Sequence, residues 1–240
     1  MPHLSRIWLN PLRARTQTLL RNPHVMHAAV LGGLSRQPVD ERVLWRLSAD
    51  HLHRAELLVL TQSIPSWEHL IEQAGWTAAD EPQQMVRDYQ PLLDCLHMGR
   101  EFRLRVRANP VTATRRPDKP SGGQHKRLTA ERPRGIRVAH RTVSHQLAWF
   151  TDRVERWGFQ LRSTPESGAA VQLIARERMV FTKAQDVTTH RVVLSTATFE
   201  AVVSVTDSRL AREQLLNGVG SGKAYGCGLI TLAPATQESL

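Results

Sequence analysis

Apolar positions along the chain alternate between a period of two and a period near 3.6, and the switches mark its elements. His3–Leu9 carries Leu4, Ile7, Trp8 and Leu9 in a short strand that Asn10-Pro11 closes. Asn22-Pro23 starts a helix, with Asn as N-cap and Pro in the first helical position, and Gly32-Gly33 stops it. Val43–Ala49 and Glu56–Gln62 read as two strands joined through Asp50–Arg54, and Ser66–Ala74 as a helical turn or short helix. Met85–Leu93 is ambiguous. Arg100–Asn109 alternates strongly, with Phe102, Leu104, Val106 and Ala108 on one face and Arg103, Arg105 and Arg107 on the other, a strand with an apolar underside and a cationic outside. Helical spacing returns over Arg141–Trp157, where Val143, Leu147, Phe150 and Val154 form a stripe that Gly158 ends. Val171–Phe181 and Val192–Val205 are strand-rich. Asp207 is the N-cap of a helix over Ser208–Leu216, a glycine-rich turn follows, and Leu229–Leu232 is a closing strand.

This order predicts an α+β chain of two tandem ferredoxin-like (RRM-like) βαββαβ units, each an antiparallel sheet with helices on one face. The second unit lacks a clear first strand, and Ile136–Ala139 is the candidate for it. The predicted division is a unit over residues 1–112 that carries the first helix, a basic mobile loop or linker over 113–134, and a unit over 135–240 with the glycine-rich loop. The middle stretch holds Arg115, Arg116, Pro117, Lys119, Pro120, Gly122, Gly123, Lys126 and Arg127 and few large apolar residues, so little repays ordering it.

Composition narrows the function classes. The chain has 240 residues, 41% of them hydrophobic, enough for a core, and no apolar run approaches the ~18 residues that span a bilayer. Two cysteines, Cys95 and Cys227, exclude a disulfide scaffold and an all-cysteine zinc site, and fit a reducing cytoplasm. Lys and Arg together number 32 against 22 acids, for a net charge of +10, and only four of the 32 are lysines. Such an excess draws a polyanion through counterion release, and arginine adds bidentate phosphate contacts; codon bias is the bland explanation. No acid precedes Asp40, as in a transit peptide, but Pro11 and Pro23 interrupt a long amphipathic helix, so the segment is expected to belong to the fold.

Two segments carry candidate chemistry. In the helix from Pro23, Val25, Met26, Ala29 and Val30 share one side, while His24 and His27, three apart, share the other. Two imidazoles turned from a core can take the proton of a ribose 2′-hydroxyl and protonate a departing 5′-oxygen, and eleven histidines also make a chance pair easy. A metal site is disfavoured, since no carboxylate or thiolate lies near them in sequence. The second segment, Asn217–Leu229, holds five glycines and Lys223. It is not a phosphate-binding loop of Walker type, because Asn217 stands where the first glycine belongs and Ala224 where a magnesium-binding hydroxyl belongs. It is not a dinucleotide fingerprint either, with only twelve residues after Gly228. Contact with an RNA backbone and a tight turn in a packed core remain.

The run Gly218-Val-Gly-Ser-Gly-Lys-Ala-Tyr-Gly-Cys-Gly-Leu229, followed by Leu232-Ala233-Pro234, resembles the C-terminal signature of the CasE family, the CRISPR repeat-processing endoribonucleases of type I-E systems. Phe102–Pro110 is similar to that family's central strand, and the Asn-Pro-x-x-x-His27 helix to its catalytic helix. The three matches fall in the family's order. The resemblance implies two ferredoxin-like domains and an endoribonuclease that cuts precursor CRISPR RNA once at the base of the repeat stem-loop. It implies no metal or other cofactor, a 2′,3′-cyclic phosphate and a 5′-hydroxyl, and a product retained with the other subunits of the surveillance complex, away from any membrane. The family's catalytic histidine falls on His27. At His24 the sequence departs from a tyrosine found in some members, and proton transfer, phosphate orientation and no role are all open to it.

Because A-form stems are read mainly through backbone shape and charge, the candidate RNA contacts are Arg21, Arg36, Arg115, Arg116, Lys119, Lys126, Arg127 and Lys223. With them go Gly218, Gly220, Gly222, Tyr225 and Gly226 of the loop. Arg103, Arg105 and Arg107 either cover RNA or face solvent. A non-catalytic RNA-binding scaffold on the same double fold is the alternative.

Overall fold

The structure, a computed structural model, describes residues 1–51, 53–117, 122–130, 135–164, 168–185 and 188–235. The first unit runs β1 (His3–Leu9), α1 (Ala14–Arg21), α2 (Pro23–Leu31), β2 (Leu44–His51), β3 (Arg54–Thr61), α3 (Glu68–Ala74) and β4 (Gln84–Asp88), followed by the short α4 (Gln90–Asp94). Its antiparallel sheet has the order β2-β3-β1-β4, with Ile7 opposite Leu57 on β3 and Leu4 opposite Arg87 on β4. Ile7, Leu9, Leu57, Val59 and Trp45 turn to one face and bury against Leu19 of α1, Met26 and Val30 of α2, and Leu70 of α3. Leu44, Leu58 and Leu60 turn the other way and join the core of the second unit.

α2 forms where expected. The Asn22 side chain accepts from the backbone N–H groups of His24 (3.0 Å) and Val25 (3.4 Å), so two of the free donors at the helix start are satisfied. α1 is absent from the sequence reading. It has no acidic residue in its first turn, no capping side chain, and only Thr16 and Leu19 buried, so neither a cap nor a stripe announces it.

The second unit runs β5 (Glu101–Ala108), β6 (Val111–Thr114), α5 (Gly122–Leu128), β7 (Ile136–Ala139), α6 (Val143–Val154), β8 (Phe159–Leu161), β9 (Ser163–Thr164), β10 (Gly168–Ala169), β11 (Val171–Gln185), β12 (Thr188–Val205), α7 (Ser208–Asn217) and β13 (Ile230–Pro234). Its sheet has the order β11-β12-β5-β13, with β8 also on β12, so both units place their strands in the ferredoxin-like arrangement. α6 is pinned by Phe150 stacked on Phe199 of β12, with centroids 4.8 Å apart. Asp207 caps α7 as expected, accepting from Leu210 N–H at 2.9 Å.

Three expectations differ from the strand pairing. The alternating strand Arg100–Asn109 lies at the centre of the second sheet, between β12 and β13, so the division at residue 112 does not follow the sheets. The fourth strand of the first unit is β4, an edge strand whose Met85 is exposed and whose burial is too shallow to alternate cleanly. Ile136–Ala139 pairs with β6 in a separate ribbon and is not a first strand. The basic stretch therefore leaves from β5 and returns to α6 within the second unit, as β6, α5 and β7. Period two reports which face a residue takes and says nothing about which strand lies beside it.

The cationic face of β5 is also not an outside. Arg107 is buried and ion-paired with Glu177 (2.5 Å), and Arg105 with Glu200 (3.5 Å). Among the described residues, no helix is long and apolar enough to cross a membrane.

Candidate active site

α2 lies where the two units meet. Met26 and Val30 are fully buried, with Val25 and Ala29 partly so, and this anchors the helix and leaves His24 and His27 half-buried on its other side. The indole N–H of Trp45, an inward residue of β2, donates to Nδ1 of His27 at 3.3 Å. Burial holds the His27 imidazole below its ordinary pKa, and the neighbouring His24 lowers it further.

The glycine-rich loop closes against the same place. Its ends are tied by Val219 N–H to the Gly228 carbonyl (2.9 Å) and by Gly228 N–H to the Arg107 carbonyl (2.7 Å). The Asn109 amide donates to the Ser221 hydroxyl at 3.2 Å. The single turn Lys223–Tyr225 packs beside α2 and β2. Gly226 has φ +77°, and a Cβ there would stand 2.6 Å from the Trp45 ring. Gly218 has φ +69°, and a Cβ there would stand 2.6 Å from Leu44. Both are buried, so these two glycines dock the second unit onto β2 of the first. Gly220 is exposed and Gly222 half-buried. Tyr225 packs edge-on against Phe181, centroids 4.9 Å apart.

The cations divide into two groups. Lys223 sits on the turn beside α2, its ammonium held below the usual lysine range by partial burial and by the nearby Arg42. Arg21 is exposed at the end of α1, one residue before the Asn22 cap of α2. Arg36 is exposed on the loop after α2, 3.9 Å from Asp40. Arg115 and Arg116, after β6, and Lys126, on α5, are exposed on the excursion from the second unit. Arg127 lies on α5 with its side chain outside the described residues, and Lys119 lies outside them altogether. Trp45 and Arg42 escape sequence reading: an inward strand tryptophan reads as core, and one arginine among twenty-eight carries no mark. Among the described residues, no three His, Cys, Asp or Glu side chains converge as a metal-ligand set.

Known proteins resemble the chain along nearly its whole length. A family profile described as CRISPR associated protein matches residues 2–234. The CRISPR-associated endoribonuclease Cse3 of Thermus thermophilus is 32% identical over 236 residues, covering 96% of this chain and 99% of that protein. The solved structure of CRISPR endoribonuclease Cse3 bound to a 19-nucleotide RNA superposes with a TM-score of 0.72 at 29% identity, covering 97% of this chain and 99% of that one. Thermus thermophilus Cse3 bound to an RNA representing a pre-cleavage complex gives 0.72 at 30% identity, with the same coverage. A near-full-length match in sequence and in fold, on two tandem units with α2 and the glycine loop at their junction, places the chain in the CRISPR-associated protein family, among the Cse3 endoribonucleases.

Proposed function

We propose that the protein is a CRISPR repeat-processing endoribonuclease that cuts precursor CRISPR RNA at the base of the repeat stem-loop. The observation that carries this reading is His27, held half-buried on α2 by the Trp45 indole, on a helix packed against the turn that bears Lys223, in a chain that matches an endoribonuclease over nearly its whole length. The 2′-oxygen attacks the adjacent phosphorus, the bond from phosphorus to the 5′-oxygen breaks, and a 2′,3′-cyclic phosphate and a 5′-hydroxyl result. One proton leaves the 2′-hydroxyl and one reaches the 5′-oxygen. His27 and His24, one helical turn apart, are the groups placed to serve the reacting phosphate. Lys223, Arg42 and Arg21 supply positive charge around α2, and Arg36, Arg115, Arg116 and Lys126 extend it along a stem. Gly220 and Gly222 let the backbone of the loop approach a phosphate. The same reading has the protein keep its cleaved RNA and enter a type I-E surveillance complex with it, on the ground of family membership.

The test is a synthetic repeat hairpin incubated with the full chain in EDTA, with product ends analysed. His27→Ala is expected to stop cutting and leave hairpin binding nearly intact, because it removes a group at the reacting phosphate and no major phosphate contact. Cutting by His27→Ala at the wild-type rate would remove His27 from the reaction. Tight binding by the wild type with no product in any buffer would favour an RNA-binding scaffold instead.

A further inference from the structure

The strand tryptophan Trp45 does more than fill the first core. Its ring is 1% exposed, so its N–H needs a partner inside the protein, and that partner is Nδ1 of His27 at 3.3 Å. A ring nitrogen that accepts a hydrogen bond carries no proton, so neutral His27 bears its proton on Nε2. Nε2 has no hydrogen-bond partner among the described residues. The indole is itself held from the opposite side: Gly226 of the second unit lies so close to the Trp45 ring that a Cβ would meet three of its carbons within 3.0 Å. The chain of contacts therefore runs from the glycine loop through Trp45 to His27, and it crosses from one unit to the other.

Resting on the assignment of His27 to the reaction, we infer that Trp45 is the positioning residue of the site: its indole N–H fixes His27 as the Nε2–H tautomer and aims that proton at the scissile phosphate. While this bond stands, Nε2 already carries a proton and cannot take the one from the 2′-hydroxyl. His27 then acts as a hydrogen-bond donor to a phosphate oxygen on which charge builds as the 2′-oxygen attacks, a neutral imidazole serving as electrophile. The 2′-hydroxyl proton goes to His24, the other imidazole on this face of α2, which as imidazolium returns it to the departing 5′-oxygen. Gly226 is part of the same device, because a side chain at that position would push the indole off its station.

The experiment replaces Trp45 in the full chain by 3-benzothienylalanine, which keeps the ring system and puts sulfur where the N–H was. Trp45→Phe is made in parallel, and circular dichroism checks folding. The His27 ring nitrogens are read by 15N NMR, with His27→Ala identifying their signals. In the wild type, Nδ1 should appear as a proton-free nitrogen and Nε2 as a protonated one; in the isostere the two should move toward a mixture. Single-turnover cleavage should fall about 10- to 100-fold, as when the orienting partner of a functional histidine is lost, with hairpin affinity unchanged. A folded isostere with the wild-type nitrogen pattern, or with an altered pattern and an unchanged rate, overturns the inference. His27→Ala cutting at full rate sinks the underlying assignment instead, whatever the nitrogen pattern shows.

Discussion

Arg46 and Thr231, 185 residues apart, meet across the junction of the two units, with the guanidinium donating to the threonine hydroxyl at 2.9 Å. The same guanidinium nitrogen donates to the main-chain carbonyl of Arg105 at 3.2 Å, and Arg46 is only 5% exposed. Arg46 follows Trp45 on β2, so one strand sends a tryptophan into the first core and an arginine into the second unit. Removing the guanidinium deletes both of these bonds, and the Arg105 carbonyl keeps only the Thr231 hydroxyl as a side-chain donor, at 3.3 Å. Arg46→Met should therefore lower the unfolding free energy by about 2–3 kcal/mol, the cost of losing charge-assisted buried hydrogen bonds. Urea denaturation checks it, and an unchanged midpoint would show that apolar contacts alone hold the units together.

The glycines of the chain should respond unequally to alanine. Gly218 combines φ +69° with a Cβ position 2.6 Å from Leu44 and 3.0 Å from the Gly228 carbonyl. Gly99 has φ +79°, with nothing within 4 Å of its Cβ position. Gly99→Ala should cost about 1 kcal/mol, from backbone strain alone. Gly218→Ala should cost about 2–4 kcal/mol, from strain and overpacking together. Equal losses in thermal or urea unfolding would mean that the loop does not press on β2.

Stability should rise with pH across the histidine range. His27 is lowered by burial and by His24, and His140 by burial, His145 and Arg153. Their unfolded values stand near the ordinary imidazole pKa of about 6.5. Just below it the unfolded chain binds protons that the folded chain refuses. The contribution of these groups is thus complete above about pH 6.5 and is lost as pH falls toward the folded values. Urea midpoints from about pH 5 to pH 7 should climb, and His27→Asn with His140→Asn should flatten the climb. An identical slope in the double variant would assign it to other groups.

Salt should report which cations touch RNA. Lys223→Gln is expected to weaken hairpin binding and reduce the slope of log affinity against log salt by about 1, as for one lost phosphate contact. A slope equal to the wild type's would make Lys223 a solvated charge of the junction.

Much of the local structure was legible in the chain. Asn22-Pro23 and Asp207 announce helices through caps that the backbone must satisfy, and both cap. The spacing of Met26 and Val30 against His24 and His27 puts core on one side of α2 and imidazoles on the other, and burial follows that division. α1 and β4 were not legible, because a helix with two buried residues and a shallow edge strand leave no periodic trace. At the site, the imidazole pair and the glycine run were visible, while the partner that makes His27 a directed group was not. Trp45 differs from any other core tryptophan only in what lies opposite its N–H.

By itself the sequence determined most of the helices and strands, their main apolar faces, the basic charge and the family. Each of these depends on residues near one another in the chain, or on counting them. The tertiary structure alone decided that the Phe102 strand belongs to the second sheet, that Arg107 faces Glu177 and not solvent, and that Gly226 rests on Trp45 while Trp45 holds His27. These relations join residues 18 to 181 positions apart. Periodicity carries no information about such partners, because strand pairing, shape complementarity and the accounting of buried donors are settled only when the two units close on each other.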